Sequence, residues 1–568
     1  MKILYNCLVF LVLAFVCFIT HQGLIDAGVG ILNADFAVYP LTIEWIRQGN
    51  WYPFQQHYEY GGIILSLFRI PWSWVYEAIL QTPDAFLRAH ISFFHLVIPT
   101  VLSFCFYLLA RSYASFLASF FTAIVCAIGF NAWTINAGIE FYNSYLITGA
   151  LLLALRAPYE NPFIEMSKKK LFLASLIAGL AYYNCRASAV YLVAFFLPLS
   201  WFIKTVKDLF KPGSALEKWV LRIGLFLLGL FVYLEVFGPN LGKAFDKTIK
   251  VHAEPNLRFA VILFAFLWFK RNYGCLVKEH FKKAIVVGAG VFIGMLPEIF
   301  FWLSQGKLPP LTGGRTYSFA DSFRALGRVP EAINAIFGST GQSVFRNASL
   351  LLVVASVVVL IVVALRDRTK KPGLSAVGFA GVLSVLAYAR VLTYDFAPPR
   401  YLLPLFPTII VGFALLIDWA RSRNRVVVTG VFILLLLHSY DQLLFRKHMT
   451  DDIINHGFPQ NALEVVKRFQ AEGVSVVLSD NYWYGNQYSV ISRMNPVFVP
   501  VGSPFILPDI AAKAGTEKRA GIILVGDPLL GGAPPENKKD SVVLDGRNWR
   551  LRFLGDVGNI SLYIGDTD

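Results

Sequence analysis

The stretch NADFAVYPLTIEWIRQGNWYPFQQHYEYGGIILSLFRIPWSWVYEAIL, residues 33–80, decides the architecture through what stands on either side of it. Before it lies one uncharged run, 3–25. After it come twelve more, at 91–110, 112–139, 141–155, 171–185, 187–203, 223–234, 259–269, 284–297, 348–365, 372–389, 401–417 and 426–440. A helix of about 20 apolar residues spans a bilayer. The short runs 223–234 and 259–269 reach that length when Glu235, Arg258 or Lys270 snorkels at the interface. The expected fold class is a polytopic α-helical membrane protein with about thirteen spans. Composition agrees: 56% of residues are hydrophobic, 15% charged, and the mean hydropathy is +0.56. An aromatic content of 15%, with no heptads and no glycine period, excludes disorder, coiled coil and collagen.

The formal charge of +15 would suggest nucleic acid binding in a soluble protein, but its distribution indicates a membrane. With Met1 in the cytoplasm and every run crossing, the inner loops hold 23 Lys and Arg against seven Asp and Glu. The segment 22–90 then falls outside, where six acidic residues outnumber three Arg. This positive-inside bias places the N-terminus in and the C-terminus out. A cleaved signal peptide would also begin with Lys2 and an apolar stretch, but no small-x-small site follows between Thr20 and Asp26.

From about Arg446 the apolar runs shorten and alternating segments appear: VSVVLSD (474–480), AGIILVGD (520–527), WRLRFLG (549–555) and ISLYIG (560–565). With helical stretches near 460–471 and 506–516, residues 446–568 read as a small extracytoplasmic α/β domain, and 1–445 as the transmembrane domain with its outer loop 22–90. GDPLLGGAPP (526–535) is a turn-rich loop, not a phosphate-binding one. GAGVFIG (288–294) fits a dinucleotide pattern, but no strand precedes it, and helix packing is the expected use of its glycines. All six cysteines lie in or beside apolar runs, so neither a disulfide framework nor a zinc site is expected. Asn347 and Asn559 head sequons.

Within 33–80, the spacing of Phe36, Tyr39, Leu41, Ile43 and Ile46 predicts an amphipathic helix lying at the membrane surface. Asp35 near its start is either a helix N-cap or a functional acid. The arrangement of one span, a long outer loop opening on an acid, many spans and an outer C-terminal domain resembles the GT-C glycosyltransferases. Within them it is similar to the protein O-mannosyltransferase and lipid A aminoarabinose transferase group, whose first loop carries an acidic motif followed by Tyr, Gly-x-Trp and Pro. Those positions here are Asp35, Tyr39, Gly49, Trp51 and Pro53, with Phe36 where the group usually has a second acid. The span RVLTYDFAPPRYLLPLFPTIIVGFALL (390–416) matches that group's Arg-Tyr-x-x-Pro-x-x-Pro element at Arg400, Tyr401, Pro404 and Pro407. The resemblance implies a sugar carried on a polyprenyl phosphate as donor.

The chemistry of such a transfer outside the membrane needs a carboxylate to take the acceptor proton and a cation for the departing phosphate. Asp35 is the candidate catalytic base, and a single base facing the leaving group would invert the anomeric centre, by analogy with glycosidases. Arg400 is the candidate phosphate ligand, with interface snorkelling as its structural alternative. Tyr39 and Tyr401 accompany them as substrate-binding candidates. Glu140 and Arg186 sit at depths where charge is costly, and read equally as a mutual ion pair or as sugar and phosphate ligands. Glu59, beside His57, Gly61 and Gly62, is a candidate for acceptor or metal; His57 alone reads as an ordinary interfacial residue. The loop 304–346 is rich in Arg and Lys and is either solvated or covers an anionic group. No motif indicates a cofactor, and a divalent metal is left open. The expected partners are the lipid-linked donor, a protein, lipid or glycan acceptor, and the membrane, with no nucleic acid; the expected location is a bacterial inner membrane with the site on its outer face. A lipid-linked saccharide flippase, or a non-catalytic envelope assembly protein, stands as the alternative, although no internal repeat of the transporter kind is visible.

Overall fold

The computed structural model describes residues 2–28, 34–49, 54–55, 58–82, 84–129, 141–196, 214–237, 260, 263–264, 267, 281–304, 325–336, 342–367, 371–391, 399–456, 462–479, 482–501, 514–525, 539–544, 546–557 and 560–567. Twelve of the thirteen apolar runs carry a described helix; run 259–269 lies largely outside the described residues. Six helices among the described residues are long and apolar enough to cross a membrane: Ile3–Asp26, Ala85–Arg111, Phe281–Ser304, Ser343–Arg366, Tyr401–Arg421 and Arg425–Asp452. The chain is a multi-pass membrane protein.

α1 (Lys2–Asp26) runs into α2 (Ala34–Arg47), a two-stranded hairpin of β1 (Phe54–Gln55) and β2 (Tyr58–Gly62), and α3 (Ile64–Leu80). α4 (Ala85–Ser92) continues through a π turn at Phe93–Val97 into α5 (Ile98–Arg111), followed by α6 (Phe116–Gly129) and α7 (Phe141–Arg156). α8 (Lys168–Asn184) ends where Cys185 turns extended, a short 3-10 turn follows at Arg186–Ser188, and α9 is Ala189–Phe196. α10 (Ala215–Phe237), α11 (Phe281–Ser304), α12 (Val329–Ile336), α13 (Ser343–Arg366), α14 (Leu374–Val391), α15 (Phe406–Arg421) and α16 (Arg425–His456) complete the helical part.

Small residues decide the closest helix contact. A Cβ on Gly290 or Gly294 of α11 would lie 2.7 Å from Ser175 and 2.6 Å from Leu180 of α8, so these backbones touch directly, as small-residue packing in a membrane allows. The GAGVFIG segment is therefore a packing surface. α15 is the axis of the bundle, buried continuously from Phe406 to Leu416. α16 is one unbroken helix across the compositional boundary at 446, and the buried Arg446 donates to the carbonyls of Thr20 in α1 (2.9 Å) and Ile128 in the last turn of α6. Two backbone carbonyls, one of them at the C-terminus of α6 where the helix dipole adds partial negative charge, offset part of the cost of burying that guanidinium.

Beyond α16, α17 (Ala462–Ala471) and α18 (Tyr482–Ile491) flank a six-stranded sheet. The strands β3 (Val476–Ser479), β4 (Val497–Pro500), β5 (Arg519–Val525), β6 (Ser541–Leu544), β7 (Arg547–Val557) and β8 (Ile560–Asp566) stand in the order β4-β3-β5-β8-β7-β6. β3 pairs parallel with β4 and β5, and the other pairings are antiparallel. The four expected strands are β3, β5, β7 and β8. β4, β6 and α18 were not foreseen, and of the expected helix at 506–516 only 514–516 falls among the described residues.

The surface helix expected at 36–46 is buried instead: every residue of α2 from Phe36 to Glu44 is enclosed, because α3 covers one side and α18 another. One apolar core joins Leu24, Phe36, Leu41, Phe86 and Phe94 of the membrane side to Val465, Phe469 and Tyr488 of the C-terminal domain.

Candidate active site

α2 fixes the start of the segment that follows α1. Asp35 lies in its first turn, one residue after the helix begins; its side chain is outside the described residues. Beneath α2 the fully buried Arg69 of α3 sits within 5.1 to 5.9 Å of the ring centres of Phe93, Tyr39, Phe36 and Phe94. Its Nη1 donates to the His90 carbonyl at 3.4 Å and lies 3.3 Å from His90 Nδ1. A cation among ring faces keeps part of the stabilisation that water gave it. Tyr39, 0% exposed, is thus one wall of this cage.

The other end of α2 is tied by charge. Arg47 Nη1 donates to Glu77 Oε1 at 2.5 Å, while Arg493 of the C-terminal domain reaches Glu44 at 3.4 Å and Glu77 at 3.6 Å. Arg47 and Arg493 also lie 5.6 and 4.8 Å from the centre of the Phe86 ring. Two cations meet two carboxylates across the seam between α2, α3 and the end of α18.

The hairpin that follows rests on the end of α8. Gly62 allows this: a Cβ there would stand 2.9 Å from Asn184 Cα and 2.9 Å from the Tyr183 ring. The next amide, of Ile63, donates to the Tyr183 hydroxyl at 3.4 Å. Glu59 is in β2, with its side chain outside the described residues, as are His57, Trp51 and Pro53 entirely. Immediately past α8, Arg186 Nη2 pairs with Glu298 of α11 at 3.0 Å, and Glu298 is only 2% exposed. The described partner of Arg186 is therefore Glu298; Glu140, its expected partner, lies outside the described residues. Glu298 follows Pro297 at the end of an apolar run, and an acid at membrane depth was the signal that would have singled it out.

The Arg-Tyr-x-x-Pro element forms a 3-10 turn at Pro399–Leu405 that leads straight into α15. Arg400 is in its first turn with its side chain outside the described residues, and Tyr401 is half-buried. This turn joins the α8 corner through α9: the Tyr191 hydroxyl donates to the Pro404 carbonyl at 2.9 Å, and the Tyr191 and Tyr145 rings are 6.3 Å apart. The elements carrying Glu59, Arg186, Arg400 and Tyr401 thus gather around α8 and α9, while Tyr39 is turned toward the Arg69 cage. Among the described residues no three His, Cys, Asp or Glu side chains converge as a metal site would need. In the loop 304–346, Lys307, Arg315 and Arg324 are outside the described residues.

Among solved structures, ArnT from Cupriavidus metallidurans bound to undecaprenyl phosphate matches with a TM-score of 0.53 and 11% identity, over 99% of this chain and 98% of that one. The chain has the GT-C fold. The apo form of the same ArnT gives a TM-score of 0.45 at 11% identity over 99% and 98% of the two chains. The oligosaccharyltransferase of Archaeoglobus fulgidus gives 0.48 at 12% identity over 90% of this chain and 67% of that one. No protein-family model matches the sequence, and no curated protein matches it. In this chain the hairpin and the 399–405 turn, far apart in sequence, are linked to α8 and α9 by the Ile63–Tyr183 and Tyr191–Pro404 hydrogen bonds.

Proposed function

We propose that the chain is a membrane glycosyltransferase that moves a sugar from a polyprenyl-phosphate donor to an extracytoplasmic acceptor hydroxyl, with inversion. The observation that carries this reading is the match over nearly the whole of both chains to an ArnT captured with undecaprenyl phosphate. Asp35 takes the proton from the acceptor hydroxyl as the new bond to the sugar C1 forms. The C1–oxygen bond to phosphate breaks on the opposite face, and the lipid phosphate departs with the electron pair. Arg400 grips that phosphate, with Tyr401 beside it. Glu59 and Glu140 contact the acceptor or the sugar. Arg186, its charge already met by Glu298, contributes to the sugar side of the site, and Tyr39 acts through α2 by fixing its angle. The chain crosses thirteen times, N-terminus in and C-terminus out, in a bacterial inner membrane with the site outside, and the domain from 446 assists acceptor binding or folding.

The test is to incubate the purified protein in lipid nanodiscs with a panel of radiolabelled polyprenyl-phosphate sugars and candidate acceptors. Transfer that stops in Asp35→Asn supports the reading. Movement of the intact lipid-linked saccharide across a vesicle without transfer would replace it with the flippase reading.

A further inference from the structure

The corner at the outer end of α8 holds polar side chains that the fold itself does not use. Asn184, the last residue of α8, is 1% exposed, and among the described residues neither its amide nitrogen nor its amide oxygen has a hydrogen-bond partner. Four residues on, the Ser188 hydroxyl is also fully buried and also lacks a partner among the described residues. Leaving a buried donor or acceptor unpaired costs roughly 1 to 3 kcal/mol for each group, whereas an apolar side chain of Asn184's size would incur none of that cost. These groups lie where the hairpin of the outer segment presses Gly62 onto Asn184, and next to the Arg186–Glu298 pair.

We infer that Asn184, together with Ser188, receives the hydroxyl groups of the sugar carried by the lipid donor. This rests on the glycosyltransferase reading and gives that site a sugar-recognising corner distinct from its phosphate ligand. Charge decides the ligand class. The only formal charges described at this corner, on Arg186 and Glu298, neutralise each other at 3.0 Å, so an anionic phosphate finds no free cation here. An amide offers donors and an acceptor together, and a serine hydroxyl offers one of each. A neutral polyol, each of whose hydroxyls both donates and accepts, is the partner that satisfies such a set. Tyr183 belongs to the corner too, but its hydroxyl already accepts from Ile63, so it positions the hairpin.

The contact is read from binding of two probes, undecaprenyl phosphate and undecaprenyl-phosphate hexoses, to full-length wild type, Asn184→Leu and Ser188→Ala in nanodiscs. Wild type should hold one of the hexose-bearing lipids more tightly than the bare lipid phosphate. Asn184→Leu should lose about 10-fold to 100-fold of affinity for that hexose lipid while keeping undecaprenyl phosphate affinity within about twofold. Ser188→Ala, a smaller change that keeps the fold if Asn184→Leu does not, should lose roughly threefold to tenfold in the same selective way. Equal losses for both lipids, or no loss for either, would overturn the inference, as would a wild type that does not distinguish the hexose lipids from bare phosphate. Sugar-dependent binding without turnover in wild type would instead sink the transferase reading and leave the sugar contact standing.

Discussion

The seam between α2 and the residues beyond α16 and the corner at the end of α8 are both polar and both touch the segment 22–90, yet they are wired in opposite ways. At the seam, Arg47, Arg493, Glu44 and Glu77 meet one another, and the Arg69 cage closes the layer below. At the corner, the side-chain polar groups of Asn184 and Ser188 have no hydrogen-bond partner among the described residues. Polar groups satisfied by the chain hold it together, and polar groups left over are available to something else. That contrast gives the residues beyond α16 a structural part: α18 covers α2, the helix that carries Asp35.

The largest effect should come from Asp35, where the rigid seam hands over to chemistry. Asp35→Asn keeps shape and removes the base, so single-turnover transfer should slow by about 10²-fold to 10⁴-fold while donor affinity stays nearly intact. Wild-type turnover in this variant would move the base to Glu59 or Glu140 and make Asp35 a helix-end residue only.

Next in size, Arg69→Ala should cost about 3 kcal/mol or more of stability, through a cavity among four rings and an orphaned His90 contact. Thermal unfolding in detergent measures it. At temperatures where the variant is folded, its preference for hexose-bearing over bare lipid phosphate should equal that of wild type. A variant with normal stability and altered sugar preference would erase the distinction between the two regions.

Arg400→Ala should weaken binding of undecaprenyl phosphate and of its hexose adducts alike, by about 1.5 to 3 kcal/mol, because both lose the same charge-assisted contact. That signature is opposite to the one expected at Asn184. Unchanged affinity for both lipids would return Arg400 to interface anchoring.

Legibility in the sequence followed the range of the interactions concerned. Helices such as α1, α13 and α15 could be read because a bilayer demands one local property, an uninterrupted apolar run. The same locality misread α2: Phe36, Tyr39 and Leu41 repeat with helical spacing, but the cover over its other face is α18, more than 400 residues away. The hairpin was invisible because HYEYGG looks like a loop until Tyr183 and Asn184 supply its floor. Arg186 was marked as a costly charge, but its partner Glu298 is 112 residues on, and no spacing rule reaches so far. Asp35 and Arg400 belong to motifs, whereas Asn184 belongs to none: only the lack of a side-chain partner among the described residues distinguishes it from any asparagine at a helix end.

A smaller effect tests whether the seam acts as one unit. Glu77→Gln and Arg493→Ala remove groups about one-fifth and two-fifths exposed, so solvent screening limits each ion-pair loss to about 1 kcal/mol. Because Arg493 reaches both Glu44 and Glu77, the two substitutions should fall short of additivity in a double-mutant cycle on thermal stability. Full additivity would mean that the carboxylates hold α2 independently of the C-terminal domain.

The smallest effect concerns Asp84, at the start of α4, whose carboxylate accepts from Arg88 Nε at 2.5 Å in an open setting. The Arg88 hydrogen bond, assisted by Thr82, holds its carboxyl below the ordinary 3.8 against the opposing effect of partial burial. A carboxyl whose folded pKa is depressed binds its proton more weakly when folded. The pair therefore stabilises the fold fully above the unfolded value near pH 4, and that contribution fades as pH falls through the depressed value. With both side chains more than two-fifths exposed, screening leaves it a few tenths of a kcal/mol. Asp84→Asn should accordingly lower thermal stability slightly at pH 7 and converge with wild type as pH falls through the depressed value. A gap that widened toward acid would reverse the sign and show that the folded protein favours protonated Asp84; a loss of several kcal/mol at neutral pH would place this exposed pair among the supports of the seam.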